Sequence, residues 1–321
     1  MNNNLKTVII TGGNTGLGFA CASHILQREK GWHVVIACRN EEKAKKAVEK
    51  IITKTGNQNI SFQKLDLVSF QSVHDFVDSF IKSDTPPLHG IICNAGVSLG
   101  DKITTTANGI ETTFQVNCLG HFLLVRLLLP YLQTNSRILF VSSELHRNDG
   151  PMKSFRPDFK SAEEMAYPAK QVNPVKNSGG QRYAATKLCL LFYTYELARR
   201  IALEENCKIT VNAFNPGLMP DTSLGGLNTK LLRKYFLKYI LPFFAKGAVS
   251  TPEISGDILA DLLTDEKYKN ITGQYFDRDR IIPSSEESFD TKKWLEIWNF
   301  SEEIVGLKPN EGFLSQRAFP I

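Results

Sequence analysis

The chain has 321 residues, 42% hydrophobic, 22% charged and 10% aromatic. That balance excludes disordered, collagenous and coiled-coil chains and matches an ordinary globular protein. The net charge of +5 is too diffuse to point to nucleic acid, and no nucleic-acid partner is expected.

Residues 7–11 form a short β-branched run that ends in glycines, and a helical stretch follows over about 16–29. A second strand is predicted over 33–38 and a charged helix over 41–54. Residues 60–65 read as a third strand. A helix follows over 72–82, with Val73, Phe76, Val77 and Phe80 on one face. Strands over 88–93 and 137–141 flank a long helix around 107–133. Continuous apolar strands separated by helices of roughly 10–20 residues indicate a parallel sheet covered on both faces. Right-handed crossovers wind such a sheet doubly. The fold class is therefore α/β, a Rossmann-type doubly wound parallel sheet, read as a single domain over 1–321. Its regularity breaks between Ser143 and Tyr183, a polar stretch holding Pro151, Pro157, Pro168, Pro174 and Gly179-Gly180. This is read as an insertion over about 144–182. A helix over 182–204 and a strand over 208–214 resume the pattern.

No apolar run of ~18 residues suggests a membrane span. The N-terminus lacks a secretory pattern and the C-terminus a prenylation box, so a cytoplasmic location is expected. The six cysteines are scattered, with no CxxC pair and no zinc spacing, and read as buried thiols with no metal.

The first strand runs into Thr11-Gly12-Gly13-Asn14-Thr15-Gly16-Leu17-Gly18 and then a helix. Glycines there allow close approach of a pyrophosphate, and the helix N-terminus offers unpaired N–H donors. The second strand ends without the acid that would bind the ribose of NAD. It carries Arg39 instead, with Lys43 a turn into the helix. A guanidinium suits the 2′-phosphate of NADP, so NADP(H) is the expected cofactor. Asp66-Leu67 and Asn94-Ala95-Gly96 close the third and fourth strands, at the carboxyl edge where open parallel sheets bind ligands. Tyr183 and Lys187 lie one helical turn apart on the same face. A nearby ammonium lowers a phenol pKa from ~10 toward neutrality, which makes Tyr183 a candidate proton donor or acceptor.

In this order, the residues from Thr11 to Lys187 resemble the short-chain dehydrogenase/reductase superfamily. Its TGxxxGxG, NAG, helix Asn, Ser and YxxxK elements correspond to Thr11/Gly12/Gly16/Gly18, Asn94-Ala95-Gly96, Asn117, Ser143 and Tyr183/Lys187. Asn215-Pro216-Gly217 matches the Pro-Gly after its sixth strand. The resemblance implies that Tyr183 is the general acid or base and that Lys187 depresses its pKa and binds the nicotinamide ribose. Ser143 would hydrogen-bond the substrate oxygen, and Asn117 would hold the water of a proton relay. His121 and Cys118, beside Asn117, read as packing residues.

Two branches are similar. The stretches Ala37-Cys38-Arg39-Asn40, Asn94-Ala95-Gly96 and 117–124 resemble retinol dehydrogenase-like members. The long Ser–Tyr excursion and the stretches 243–247 and 298–307 are also similar to light-dependent protochlorophyllide oxidoreductases, which reduce a carbon–carbon double bond. That second branch implies a cysteine immediately after the Pro-Gly, where this chain has Leu218. Asp221 or Thr222 fills the slot that binds the carboxamide in relatives. Residues 230–241, KLLRKYFLKYIL, set Leu231, Leu232, Tyr235, Phe236, Tyr239 and Ile240 against a basic face. That pattern fits a core-packed helix with a solvated face. It also fits a substrate lid over about 218–250 that touches a membrane surface through 230–245. A bulky hydrophobic small-molecule substrate is expected, with the oligomeric state left open.

Overall fold

The computed structural model describes residues 5–149, 155–168, 178–204, 207–219 and 249–307. Its centre is an eight-stranded sheet of order β3-β2-β1-β4-β5-β6-β7-β8. The strands are β1 (Lys6–Thr11), β2 (Trp32–Cys38), β3 (Ile60–Lys64), β4 (Leu88–Cys93), β5 (Leu132–Val141), β6 (Thr210–Asn215), β7 (Gln274–Asp277) and β8 (Arg280–Ile281). All neighbours pair in parallel except β7 and β8. Strand order reverses between β1 and β4, which opens a crevice at their carboxyl ends.

Helices cover both faces. On one side α1 (Gly16–Arg28), α2 (Glu41–Thr55) and α8 (Pro252–Thr264) bury Ile25, Leu26, Ile51 and Leu259 against Val8, Ile10, Val34 and Ile36. On the other lie α3 (Phe70–Ile81), α4 (Thr112–Phe114), α5 (Gly120–Leu128), α7 (Gly179–Ile201) and α9 (Thr291–Ile304), packed with Ile9, Val35, Ile91 and Ile138. Within the insertion, α6 (Ala162–Ala166) packs with Phe159 into this second layer. Alternating residues of each buried strand thus serve opposite layers, as the near-continuous apolar runs require.

Three expectations are revised. The long helix around 107–133 is composite: α4, a π-helical turn over Gln115–Leu119, α5, and a tight turn over Leu129–Tyr131. By length and composition Thr112–Tyr131 is apolar enough to cross a membrane, but 89% of its most apolar stretch is buried inside the fold. β5 starts at Leu132 rather than 137, because Leu132 pairs with Leu88 ahead of an irregularity, at Asn135 φ +62°, after which regular pairing resumes at Arg137. α7 starts at Gly179, where Ser178 and Gln181 form a reciprocal cap. Cys21, Cys38, Cys93, Cys118 and Cys189 are buried thiols, Cys207 is half-buried, and none is disulfide-bonded.

Candidate active site

Thr11 ends β1 and Gly12 turns the chain at φ +66°, a backbone region that L side chains avoid. Asn94, after β4, holds this loop: its Nδ2 donates to Thr11 O at 2.8 Å. Thr11 Oγ1 accepts the backbone N–H groups of Asn94 and Ala95, each at 2.9 Å. A Cβ on Gly12 would stand 3.1 Å from Ala95 Cα, and one on Gly18 only 2.7 Å from Asn94 Nδ2. Both glycines are therefore set by close approach of β1's loop to β4's.

The start of α1 has no side-chain cap and no acid in its first turn. By contrast α2, α3, α7, α8 and α9 are capped by Asn40, Ser69, Ser178, Thr251 and Asp290. Asn14, Thr15 and Gly16 continue the same turn, and Leu17 is buried in the core. Arg39 and Lys43 are exposed beyond β2, flanking Asn40, whose side chain accepts Lys43 N–H. Asp66 Oδ1 accepts Val68 N–H at 3.2 Å, and Leu67 is buried with its carbonyl against Gly120.

Lys187 and Tyr183 project from α7. The head of α7 is fixed to residues 99–111: Gly179 N–H donates to Asp101 at 2.8 Å, and Arg182 reaches Gly100 O at 2.8 Å and Glu111 at 3.3 Å. Lys187 is buried and donates to Val141 O at 2.8 Å, while Ser142 Oγ donates back to Lys187 O at 2.8 Å. Its Nζ lies 5.3 Å above the Tyr183 ring and 3.8 Å from where a Cβ on Gly96 would sit. Burial lowers the ammonium pKa to about 8 and pushes the Tyr183 phenol up. In this arrangement the ammonium is bonded to Val141 O and stands against the Tyr183 ring, and burial dominates the phenol.

Asn117 sits in the π-helical turn. Its Oδ1 accepts Val97 N–H at 2.8 Å, and its Nδ2 donates to Val97 O and Thr186 Oγ1, each at 3.0 Å. Both amide protons are committed, so any water on this side chain is left with the Oδ1 lone pair.

Ser143 Oγ accepts Leu145 N–H at 3.3 Å. The backbone of the following turn is set by His146, whose Nδ1 donates to Ser143 O at 2.6 Å and whose Nε2 accepts Ser285 N–H at 3.0 Å. That double bonding requires a neutral ring, and burial holds the His146 pKa at about 4. Asn215 joins the neighbouring loops: its Oδ1 accepts Glu144 and Gly217 N–H, and its Nδ2 donates to Asp277. Gly217 adopts φ +78°, and Pro216 O accepts Ser255 Oγ. Thr222, Asp221 and the segment 230–245 lie outside the described residues.

The crevice thus gathers the glycine loop, Asn94–Gly96, Asn117, Ser143, Tyr183, Lys187 and Pro216-Gly217 along one edge of the sheet. His146 and the bridging role of Asn215 had no sequence signal, because their partners are backbone groups or residues far along the chain.

A protochlorophyllide reductase of Avena sativa is 33% identical over 320 residues, covering 94% of this chain and 99% of that protein. The chain belongs to the short-chain dehydrogenase/reductase family. The family's short chain dehydrogenase profile matches residues 6–155. Retinol dehydrogenase 13 of Mus musculus is 32% identical over 309 residues, 96% of this chain and 86% of that protein. A WW domain-containing oxidoreductase of Gallus gallus is 31% identical, matching 94% of this chain and 68% of its own length. The fold recurs in an L-sorbose reductase of Gluconobacter frateurii solved with NADPH and L-sorbose, at TM-score 0.62 over 87% of this chain and 98% of that one, with 19% identity. A metagenomic blue fluorescent protein solved with NADPH superposes over the same shares at TM-score 0.62, with 21% identity. As a short-chain dehydrogenase/reductase, this chain is an oxidoreductase.

Proposed function

We propose that the chain transfers a hydride between NADP(H) and a bulky hydrophobic carbonyl or alcohol, with Tyr183 as general acid in reduction and base in oxidation. One observation carries this reading: an uncapped helix N-terminus behind Gly12 and Gly18 opens onto the same crevice edge as Lys187 and Tyr183. The residues present fit a dinucleotide: no side-chain cap or carboxylate in the first turn competes for a pyrophosphate. The close approach to Asn94 and Ala95 that requires Gly12 and Gly18 keeps the turn free of side chains at those positions. Arg39, exposed beyond β2 where an acid would select NAD, supports the 2′-phosphate.

In this reading the bound nucleotide supplies the hydride. Lys187, released from Val141, binds the ribose hydroxyls and turns its charge toward the Tyr183 phenol. Ser143 donates to the substrate oxygen, with its backbone held by His146. Tyr183 delivers the proton that the reduced oxygen takes up. Asn117 fixes the strand-four loop through Val97 and joins it to α7 through Thr186. Pro216-Gly217 and Thr222 complete the nicotinamide side. The relatives' names, a retinol dehydrogenase and protochlorophyllide reductases, support a large apolar substrate. The basic, apolar segment 230–245 supports its delivery from a lipid surface.

A second reading has its own support. Identity to a protochlorophyllide reductase runs over nearly that protein's whole length, which favours light-driven reduction of a carbon–carbon double bond. Leu218, in place of the cysteine that branch carries after its Pro-Gly, weighs against it. Titrating purified protein with NADPH by fluorescence, then adding retinal-like aldehydes and bulky ketones in darkness and protochlorophyllide in darkness and light, separates the two. Dark NADPH oxidation is the expected result. Pigment conversion only in light establishes the second reading, and failure to bind NADPH overturns both.

A further inference from the structure

His121 lies one turn beyond Asn117, wholly buried, in a motif where sequence alone suggests packing. Its Nδ1 is 3.0 Å from Asn117 O, and its Nε2 is 2.9 Å from Thr11 Oγ1. A carbonyl only accepts, so Nδ1 carries the proton. Burial in the apolar layer, reinforced by the nearby Lys187 ammonium, holds the ring neutral, with a pKa of about 4. Nε2 is therefore a bare acceptor. Thr11 Oγ1 already accepts the Asn94 and Ala95 N–H groups, so both of its lone pairs are used and its own proton is left to donate. Ile92 O, at 3.3 Å, is the longer option and already receives Asn94 N–H at 3.0 Å. The hydrogen bonds thus run in one direction, from the Asn94 and Ala95 amides through Thr11 and His121 to the Asn117 carbonyl.

We propose that His121 is a positioning residue that locks the nucleotide loop to the π-helical turn of Asn117, so that the loops of β1 and β4 meet NADP(H) already set. The inference rests on the cofactor reading above. It explains why the side chain four residues past Asn117 is a histidine. A donor is needed toward a carbonyl on its own helix and an acceptor toward a hydroxyl on the neighbouring strand, in a space too dry for water to substitute. The Asn117 carbonyl, already taken by His121, is correspondingly less available to hold a water.

The two ends of the ring can be tested separately. In His121→Gln the amide oxygen reaches the Nε2 position and still accepts from Thr11. In His121→Asn the amide nitrogen reaches only the Nδ1 position. NADPH affinity by fluorescence titration and the thermal midpoint are measured for both variants and the wild type. His121→Asn is expected to weaken NADPH binding about tenfold, roughly the loss of one buried hydrogen bond, and His121→Gln to recover most of that affinity at a comparably lowered midpoint. Affinities that merely follow the thermal midpoints, or that match the wild type in both variants, overturn the proposal. If His121→Asn does not fold, Thr11→Val removes the same bond together with the Asn94 and Ala95 contacts it relays, so unchanged NADPH affinity in that variant overturns the proposal. Failure of the wild type to bind NADPH instead overturns the cofactor reading, which keeps the two failures distinct.

Discussion

Gly18, in the first turn of α1, and Asn94, just past β4, approach so closely that a Cβ on the glycine would lie 2.7 Å from Asn94 Nδ2. The same Cβ would stand 2.8 Å from Gly12 O. Neither neighbour is the far end of a flexible chain, since Asn94 Nδ2 is held by Thr11 O and Gly12 O is backbone. Gly18→Ala is therefore expected to cost about 1–3 kcal/mol of stability and to abolish measurable NADPH binding. Denaturant unfolding together with the fluorescence titration checks this. Wild-type affinity in a folded variant would show that the glycine is not required by the nucleotide.

Tyr183→Phe removes the proton donor and keeps the ring beneath Lys187. Turnover should fall roughly 10²–10⁴-fold while NADPH affinity stays within about twofold. Single-turnover NADPH oxidation with the substrate found in the dark screen measures both quantities. A variant that reduces substrate at the normal rate would remove Tyr183 from the chemistry.

How much of this was legible in the sequence follows from how local each feature is. The strands β1, β2 and β4 announce themselves as apolar runs with adjacent β-branched residues, and the turn after β1 as glycines whose need is set by backbone approach. Tyr183 and Lys187 are readable because one helix carries both. The start of β5 is hidden because Gln133, Thr134 and Asn135 are polar and exposed and form an irregular stretch between the paired Leu132 and Arg137. The strands β7 and β8 are four and two residues long, too short to show a period. The π-helical turn has no compositional mark at all. His146 is the clearest case: its ring is satisfied by Ser143 O three residues back and by Ser285 N–H, 139 positions along the chain. Only the folded chain brings those together.

Arg39→Ala tests the nucleotide preference. A charge-assisted hydrogen bond to a phosphate is worth enough that its loss should weaken NADPH binding about ten- to a hundredfold, with NADH affinity nearly unchanged. Parallel titrations with the two nucleotides measure the ratio. Equal losses for both would mean that Arg39 supports the loop rather than the 2′-phosphate.

The C-terminal helix α9 carries Trp298, which is buried against Phe122 with ring centroids 5.0 Å apart. The guanidinium groups of Arg126 and Arg200 lie 5.1 and 4.5 Å from the Trp298 ring, and Arg126 also pairs with Glu302. Trp298→Ala should cost about 3–5 kcal/mol through the cavity it leaves. Glu302→Gln, which strands a nearly buried guanidinium from a partly exposed partner, should cost roughly 1–2 kcal/mol. Because both changes act on Arg126, the double variant should lose less than the sum. Urea unfolding of the three variants measures this, and strict additivity would show that the two contacts are independent.

The two buried histidines make a prediction about acid. His121 and His146 are held neutral in the folded chain, with pKa values of about 4, chiefly by burial. In the unfolded chain each returns to about 6.5. Between those values the unfolded state binds more protons, so stability falls as pH drops from about 6.5 to about 4 and stops falling on their account below that. Each ring contributes on the order of 2–3 kcal/mol to the fall, since one pKa unit is worth about 1.4 kcal/mol. Burial is the main cause in both, and a second ring proton would in addition point at a group already donating, Thr11 O–H in one case and Ser285 N–H in the other. Unfolding free energies of the wild type and of His146→Gln, measured from pH 7 to pH 4, should therefore diverge, with the shallower slope in the variant. Parallel slopes would mean that His146 takes up its proton in the folded state, which its bond from Ser285 does not allow.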